Sequence, residues 1–155
     1  KAQAALGHLE DAIGACQESL SIRRTLARKV WILEALSELA SLYLTLGRTD
    51  LALVQVEEIL GQLDAAALHG SSEPLQVYLT CYQVLQANHD ARAEQLLGEA
   101  YQRLQMQAAT LEDEALRQSF LGNVFVNRTV AALYERTHQP NHHTPAPIWR
   151  STPSI

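Results

Sequence analysis

The stretch "LASLYLTLGRTDLALVQVEEIL", residues 39–60, holds two helical patterns with a break between them. Leu36, Leu39, Ala40 and Tyr43 recur at i, i+3, i+4 and i+7 before the break. Ala52, Val56, Ile59, Leu60 and Leu63 carry one apolar face beyond it. At the break stands Gly47, the residue a helix uses to end in the left-handed conformation, because glycine has no Cβ to clash there. Ala52, five residues later, is small enough for two helices to touch. The stretch predicts a tight turn between antiparallel helices.

The same device recurs on both sides. "LGHLEDAIGACQESL" from Leu6 and "ANHDARAEQLLGEAY" from Ala87 align with "LGRTDLALVQVEEIL" from Leu46, at spacings of 40 and then 41 residues. Gly7, Gly47 and Asn88 fall in register, as do Ala12, Ala52 and Ala93. After the third turn, Ala93, Leu96, Leu97, Ala100, Tyr101 and Leu104 give the clearest stripe in the chain. Gly98 lies off that stripe, where it costs about 1 kcal/mol relative to Ala without breaking the helix. The helix before the third turn, residues 75–87, is announced by "GSSEP", with Ser71 or Ser72 to cap and Pro74 in the first turn. A loop over residues 68–73 separates the second and third pairs.

Composition sets the class. The 155 residues are 47% apolar and 19% charged, with a formal charge of −5, which fits one globular domain and makes a poor candidate for direct nucleic-acid or anionic-membrane binding. No apolar run approaches the roughly 18 residues of a membrane span, and no signal-like segment is present. Cys16 and Cys81 have no paired-thiol spacing and read as reduced core thiols, which points to the cytoplasm. The chain begins inside a helical pattern without an initiator Met, as expected of a piece of a larger protein.

The order small, aromatic, Gly, Ala, here Ala40, Tyr43, Gly47 and Ala52, resembles the tetratricopeptide repeat. The third unit keeps a small residue as Cys81 and has Val84 in the aromatic slot. A period near 40, longer than the ordinary length of about 34, resembles the repeats of large bacterial regulators that join a DNA-binding or nucleotide-cyclase module to a P-loop ATPase. In that group the array often closes with Arg-x-x-Phe-Leu-x-x-Val-x-x-Asn-Arg-x-Ile. Arg117, Phe120, Leu121, Val124, Asn127, Arg128 and Val130 stand in that register, with Phe125 and Val126 where a proline and an acidic residue are commoner. The resemblance implies a cap covering the apolar face that a stacked array leaves at its end. One short helix would carry Leu116 and Phe120, and another, opening at Asn127, would carry Val130, Leu133 and Tyr134. Phe120 is expected to be buried against the helix of Leu97, Tyr101 and Leu104.

Residues with chemical potential have structural readings. No Gly-rich phosphate loop or nucleophile motif occurs. Glu57–Glu58 and Glu112–Glu114 suit solvated faces or helix starts, Thr110 and Asp113 a capping pair, and Asn127 a helix cap. His138, His142 and His143 lie in a Pro-rich tail without a fourth ligand, so no metal site is assigned. In the same tail Ile148 and Trp149 offer a short docking motif. Arg23, Arg24, Arg28 and Lys29 form a basic cluster at an expected helix end, where cations complement the dipole. The tetratricopeptide resemblance places Glu34, Ser37, Ser41 and Thr45 of the second unit, and Leu75, Tyr78, Tyr82 and Gln86 of the third, on a partner-binding groove. Tyr78 and Tyr82 would be its aromatic anchor, or else packing between first helices.

These observations predict an all-α, right-handed array of antiparallel helix pairs with a C-terminal helical cap. The expected units are residues 1–26, 27–67 and 72–109, with the cap at 110–137 and a disordered tail at 138–155. The expected function is a non-catalytic interaction or regulatory module of a larger bacterial signalling or transcription-regulating protein, with no cofactor. Its partner would be a protein, a peptide or another domain of the same chain. The alternative is a sensor of a small inducer bound in the groove. Self-association is expected if the stripe of Ile13, Cys16 and Leu20 lacks cover.

Overall fold

The structure, a computed structural model, describes residues 2–138 apart from Ala65, Ala66, His69 and Ser72, with side chains described from Leu6 onward. The expected tail beyond His138, with His142, His143, Ile148 and Trp149, lies outside the described residues, as does Ser72 as a cap. Every element among the described residues is a helix: α1 (Ala2–Thr25), α2 (Lys29–Thr45), α3 (Thr49–Gln62), α4 (Pro74–Ala87), α5 (Arg92–Ala109), α6 (Glu114–Asn123) and α7 (Phe125–His138). The fold is all-α.

Two helical hairpins form the centre, α2 with α3 and α4 with α5, and α2 packs against α4 between them. Each hairpin turns where the sequence breaks, and the hydrogen bonds show how. Gly47 adopts φ +71°. Arg48 N–H then donates to Tyr43 O at 2.9 Å and Gly47 N–H to Leu44 O at 3.0 Å, so carbonyls of the last turn find partners. In the second hairpin the same pair of bonds runs from Asp90 to Leu85, 2.9 Å, and from His89 to Gln86, 3.0 Å.

That pattern corrects the sequence register. The left-handed residue is His89, φ +55°, whereas Asn88 sits at φ −94°. By the same bonds Leu85, not Val84, takes the position of Tyr43. The lost residue is recovered at once: Ala93 N–H bonds three residues back to Asp90 O, where Ala52 N–H bonds four back to Arg48 O. Asn88 has a different task. Its Nδ2 donates to Val84 O at 2.8 Å and to Thr49 O at 3.1 Å, which ties the second hairpin's turn to the first.

Gly7 is not a turn. It lies inside α1, a single helix of 24 residues that packs along α2. Glu10 holds after Gly7 the place that Asp50 holds after Gly47, yet no helix starts there, and one glycine does not break a helix. The helix therefore continues through glycine at a cost of about 1 kcal/mol. Ile13 and Leu20 are consequently buried, and Cys16 is half-buried. The stripe expected to lack cover has it, which removes the stated ground for self-association.

The predicted faces form the core. Leu33, Leu36, Ala40, Ala52, Val56 and Ile59 are fully buried in the first hairpin, with Leu85, Leu97, Ala100 and Leu104 in the second. Ala52 and Ala93 are both buried. Exposed ion pairs cross between elements, Arg24 to Glu58 at 2.7 Å, Lys29 to Asp64 at 2.8 Å, Arg48 to Glu10, and Arg92 to Glu57. Each contributes little energy in water. They show that Arg24 and Lys29 of the basic cluster are engaged with carboxylates of α3 and the segment after it.

The last two helices contain the largest departures. α7 opens at Phe125 rather than Asn127, and α7, not α6, packs on both α4 and α5. Val130 is its fully buried residue, and Tyr134 stacks on Tyr101 with centroids 4.0 Å apart. Phe120 is only half-buried and Leu116 is exposed, so α6 buries no side chain completely. Phe125 is 66% exposed. Asn127 is no cap for its own helix: it is buried, and its Nδ2 donates to Phe120 O at 2.9 Å in the last turn of α6. Arg117 does the same for α5, donating through Nε to Ala108 O at 3.2 Å and through Nη2 to Leu111 O at 2.6 Å. Asp113 caps α6 by accepting from Leu116 N–H at 3.0 Å, while Thr110 instead donates back to Gln107 O at 2.7 Å.

Candidate functional site

A run of adjoining surface depressions begins where α1 ends and α2 starts. Ile22 in the last turn of α1 and Leu26 just past its end, whose N–H bonds to Ile22 O, are more than half exposed, unlike the buried Ile13 and Leu20, and Trp31 of α2 is 43% exposed. They line a depression of about 570 Å³ together with Ala15, Glu18, Ser19, Arg23 and Glu34. Arg23 helps hold its floor, with Nη1 donating to Trp31 O at 2.9 Å. The Arg28 guanidinium lies 5.4 Å from the Trp31 ring centroid.

The run continues across α2 onto α4. Arg23 and Glu34 also line a smaller depression with Ser37, Glu38, Glu73, Gln76 and Val77. Glu34 is positioned by Ser71, whose Oγ donates to Glu34 Oε1 at 2.7 Å and accepts from Glu73 N–H at 3.2 Å. One serine thus ties the approach to α4 to the groove face of α2. Glu73, Gln76 and Leu75 then border a third depression of about 330 Å³, closed by Phe120, Val124, Val126 and Asn127 of the final helices.

The eight expected groove residues divide. Glu34 lines the depression between α2 and α4, which Ser37 also borders, and Leu75 borders the one beside Phe120, but Ser37 and Leu75 are themselves buried at 4% and 5%. Ser41, Thr45 and Gln86 are exposed. Tyr78 and Tyr82 are buried, at 2% and 3%, and offer no aromatic pair to a partner. They belong to the packing alternative. Burial pushes the Tyr78 phenol above its usual range, against the opposing influence of Arg103, whose guanidinium lies 5.1 Å from the ring. The sequence reading missed Ile22, Leu26, Trp31, Glu18, Glu38 and Glu73. The available signal was a second apolar i, i+4 pair, Ile22 and Leu26, off the core stripe.

The thiols have no activated chemistry. Burial pushes Cys81 up to about 12. Partial burial first, and then the Glu38 carboxylate 4.0 Å away, also raise Cys16. Both are held as thiols, the unreactive form. Among the described residues no group of His, Cys, Asp and Glu is arranged to hold a metal, and no helix is long and apolar enough to cross a membrane. Comparison of the chain with protein-family models, with curated proteins and with solved structures found no match.

Proposed function

We propose that the chain is a non-catalytic docking module, a tetratricopeptide-like array of helix pairs closed by a helical cap. It serves a larger bacterial signalling or transcription-regulating protein of the cytoplasm. Its partner is a protein or peptide segment, or another domain of the same polypeptide. The repeat reading is supported by the two hairpins, whose helices end through equivalent bonds at Gly47 and His89. The capping role is supported by Arg117 and Asn127, which satisfy the ends of α5 and α6 and fold α7 back onto the array.

The observation that carries the docking role is the exposed group of Ile22, Leu26 and Trp31 gathered in one surface depression. Large apolar side chains gathered in a depression mark interaction sites more often than scattered ones do. Photo-crosslinking tests it. A photoreactive residue at Glu38 or Ser41 should trap a defined protein adduct in cells, whereas one at Glu94 or Gln105 should not. Equal trapping from all four positions would count against a dedicated face.

A small-ligand sensor is favoured by one separate feature, the depression between Leu75 and Phe120. Its volume, about 330 Å³, is at the lower end for ligand pockets. A ligand at about 100 times its dissociation constant adds about 2.7 kcal/mol to stability, so a thermal-shift screen of small metabolites reads out that role directly.

A further inference from the structure

We infer that the groove at the α1–α2 junction accepts a basic amphipathic helix of a partner protein, an inference that rests on the docking role proposed above. The apolar part of the site is Ile22 and Leu26, one helical turn apart, with Trp31 across from them. A row of side chains spaced by four residues presents the ridge against which another helix packs. The depression runs from Ala15 of α1 to Leu26 just past its end, which spans roughly 16 Å at about 1.5 Å per residue. About three turns of a partner helix match that length.

Charge selects the occupant. The described residues lining this depression and its continuation onto α4 include four carboxylates, Glu18, Glu34, Glu38 and Glu73, and one cation, Arg23. The Arg23 guanidinium is committed to Trp31 O, Arg24 and Lys29 to carboxylates at α3 and beyond it, and Arg28 lies over Trp31. A helix with leucine-like residues along one face and Lys or Arg on its flanks fills the apolar trough and meets the carboxylates. An acidic helix of the same shape meets like charge, which costs affinity.

The probe is a fluorescein-labelled 14-residue Leu/Lys amphipathic peptide, with a Leu/Glu peptide of the same apolar pattern as control, followed by anisotropy at low salt. The full chain should bind the Leu/Lys peptide and not the Leu/Glu one. Glu18→Lys with Glu38→Lys should weaken binding by about tenfold or more, as should Ile22→Ala with Leu26→Ala. Glu94→Lys with Glu112→Lys makes the same change in net charge on exposed positions away from the groove, and should weaken binding less than about threefold. Equal loss from both charge reversals, equal binding of the Leu/Glu peptide, or no binding of either peptide would overturn the inference. Loss confined to Phe120→Ala or Val124→Ala would also overturn it, while leaving the wider docking role standing on the crosslinking result.

Discussion

Asn127 shows how one side chain can matter more than its neighbours' size. It is buried, and its amide answers a carbonyl that the end of α6 leaves open. Asn127→Ala removes the donor and leaves Phe120 O without its partner, so the expected loss is about 1–3 kcal/mol by urea denaturation. Phe125, two residues earlier and much larger, faces solvent, and Phe125→Ala should stay within about 0.5 kcal/mol of the parent. The sequence motif held Arg117 and Asn127 in register, yet only the geometry shows that each serves the helix before its own. Titration behaves similarly at this scale. Hydrogen bonds from the Arg92 side chain and backbone N–H hold the Asp90 carboxyl down at about 2, and the Arg92 side chain also lowers Glu57. A carboxylate depressed in the native state binds fewer protons than in the unfolded chain, so its contribution is present above the unfolded value near 3.8 and is lost as pH falls towards 2. Carboxyl NMR should find Asp90 titrating near 2 in the parent and higher in Arg92→Ala, and an unchanged midpoint would refute the pairing.

Helix ends divide what the sequence made legible from what it did not. Gly47 was readable because glycine, the following Asp50 and Ala52 all agree, and its φ of +71° fulfils the expectation. Gly7 offered the same glycine, acid and alanine, with Glu10 in the place of Asp50, but a helix can absorb one glycine and α1 runs through it. The third turn was misplaced by one residue because Asn is the better left-handed residue by type, whereas here its side chain is used as a donor and His89 takes the positive φ. Tyr78 and Tyr82 were legible as a pair but not as buried, since the resemblance assigns a face without saying how closely α5 and α7 approach. A consequence follows for Ala27, which takes φ +53° between α1 and α2. Ala27→Gly should stabilise the chain by about 1 kcal/mol, because alanine carries a Cβ penalty there. Gly47→Ala should destabilise it by a similar amount, and the two melting shifts should therefore have opposite signs.

At the scale of the whole molecule, α2 against α4 joins the two hairpins and α7 closes the far end on α4 and α5. Val130 fits fully into the core, Tyr134 stacks on Tyr101, and α6 serves mainly to bring the chain back. The last of the depressions depends on this, because Phe120, Val124 and Val126 complete the one that starts at Glu73 and Leu75. Loss of α6 and α7 would uncover Leu97, Leu104 and Tyr101 and remove a wall of the site. The most direct measurement is therefore urea denaturation of a chain ending at Ala109 beside the full chain. The structure predicts that the shortened chain aggregates, or unfolds at a clearly lower midpoint with lost cooperativity. A single transition with unchanged midpoint would mean that α6 and α7 are not part of the folded unit, and would contradict the account.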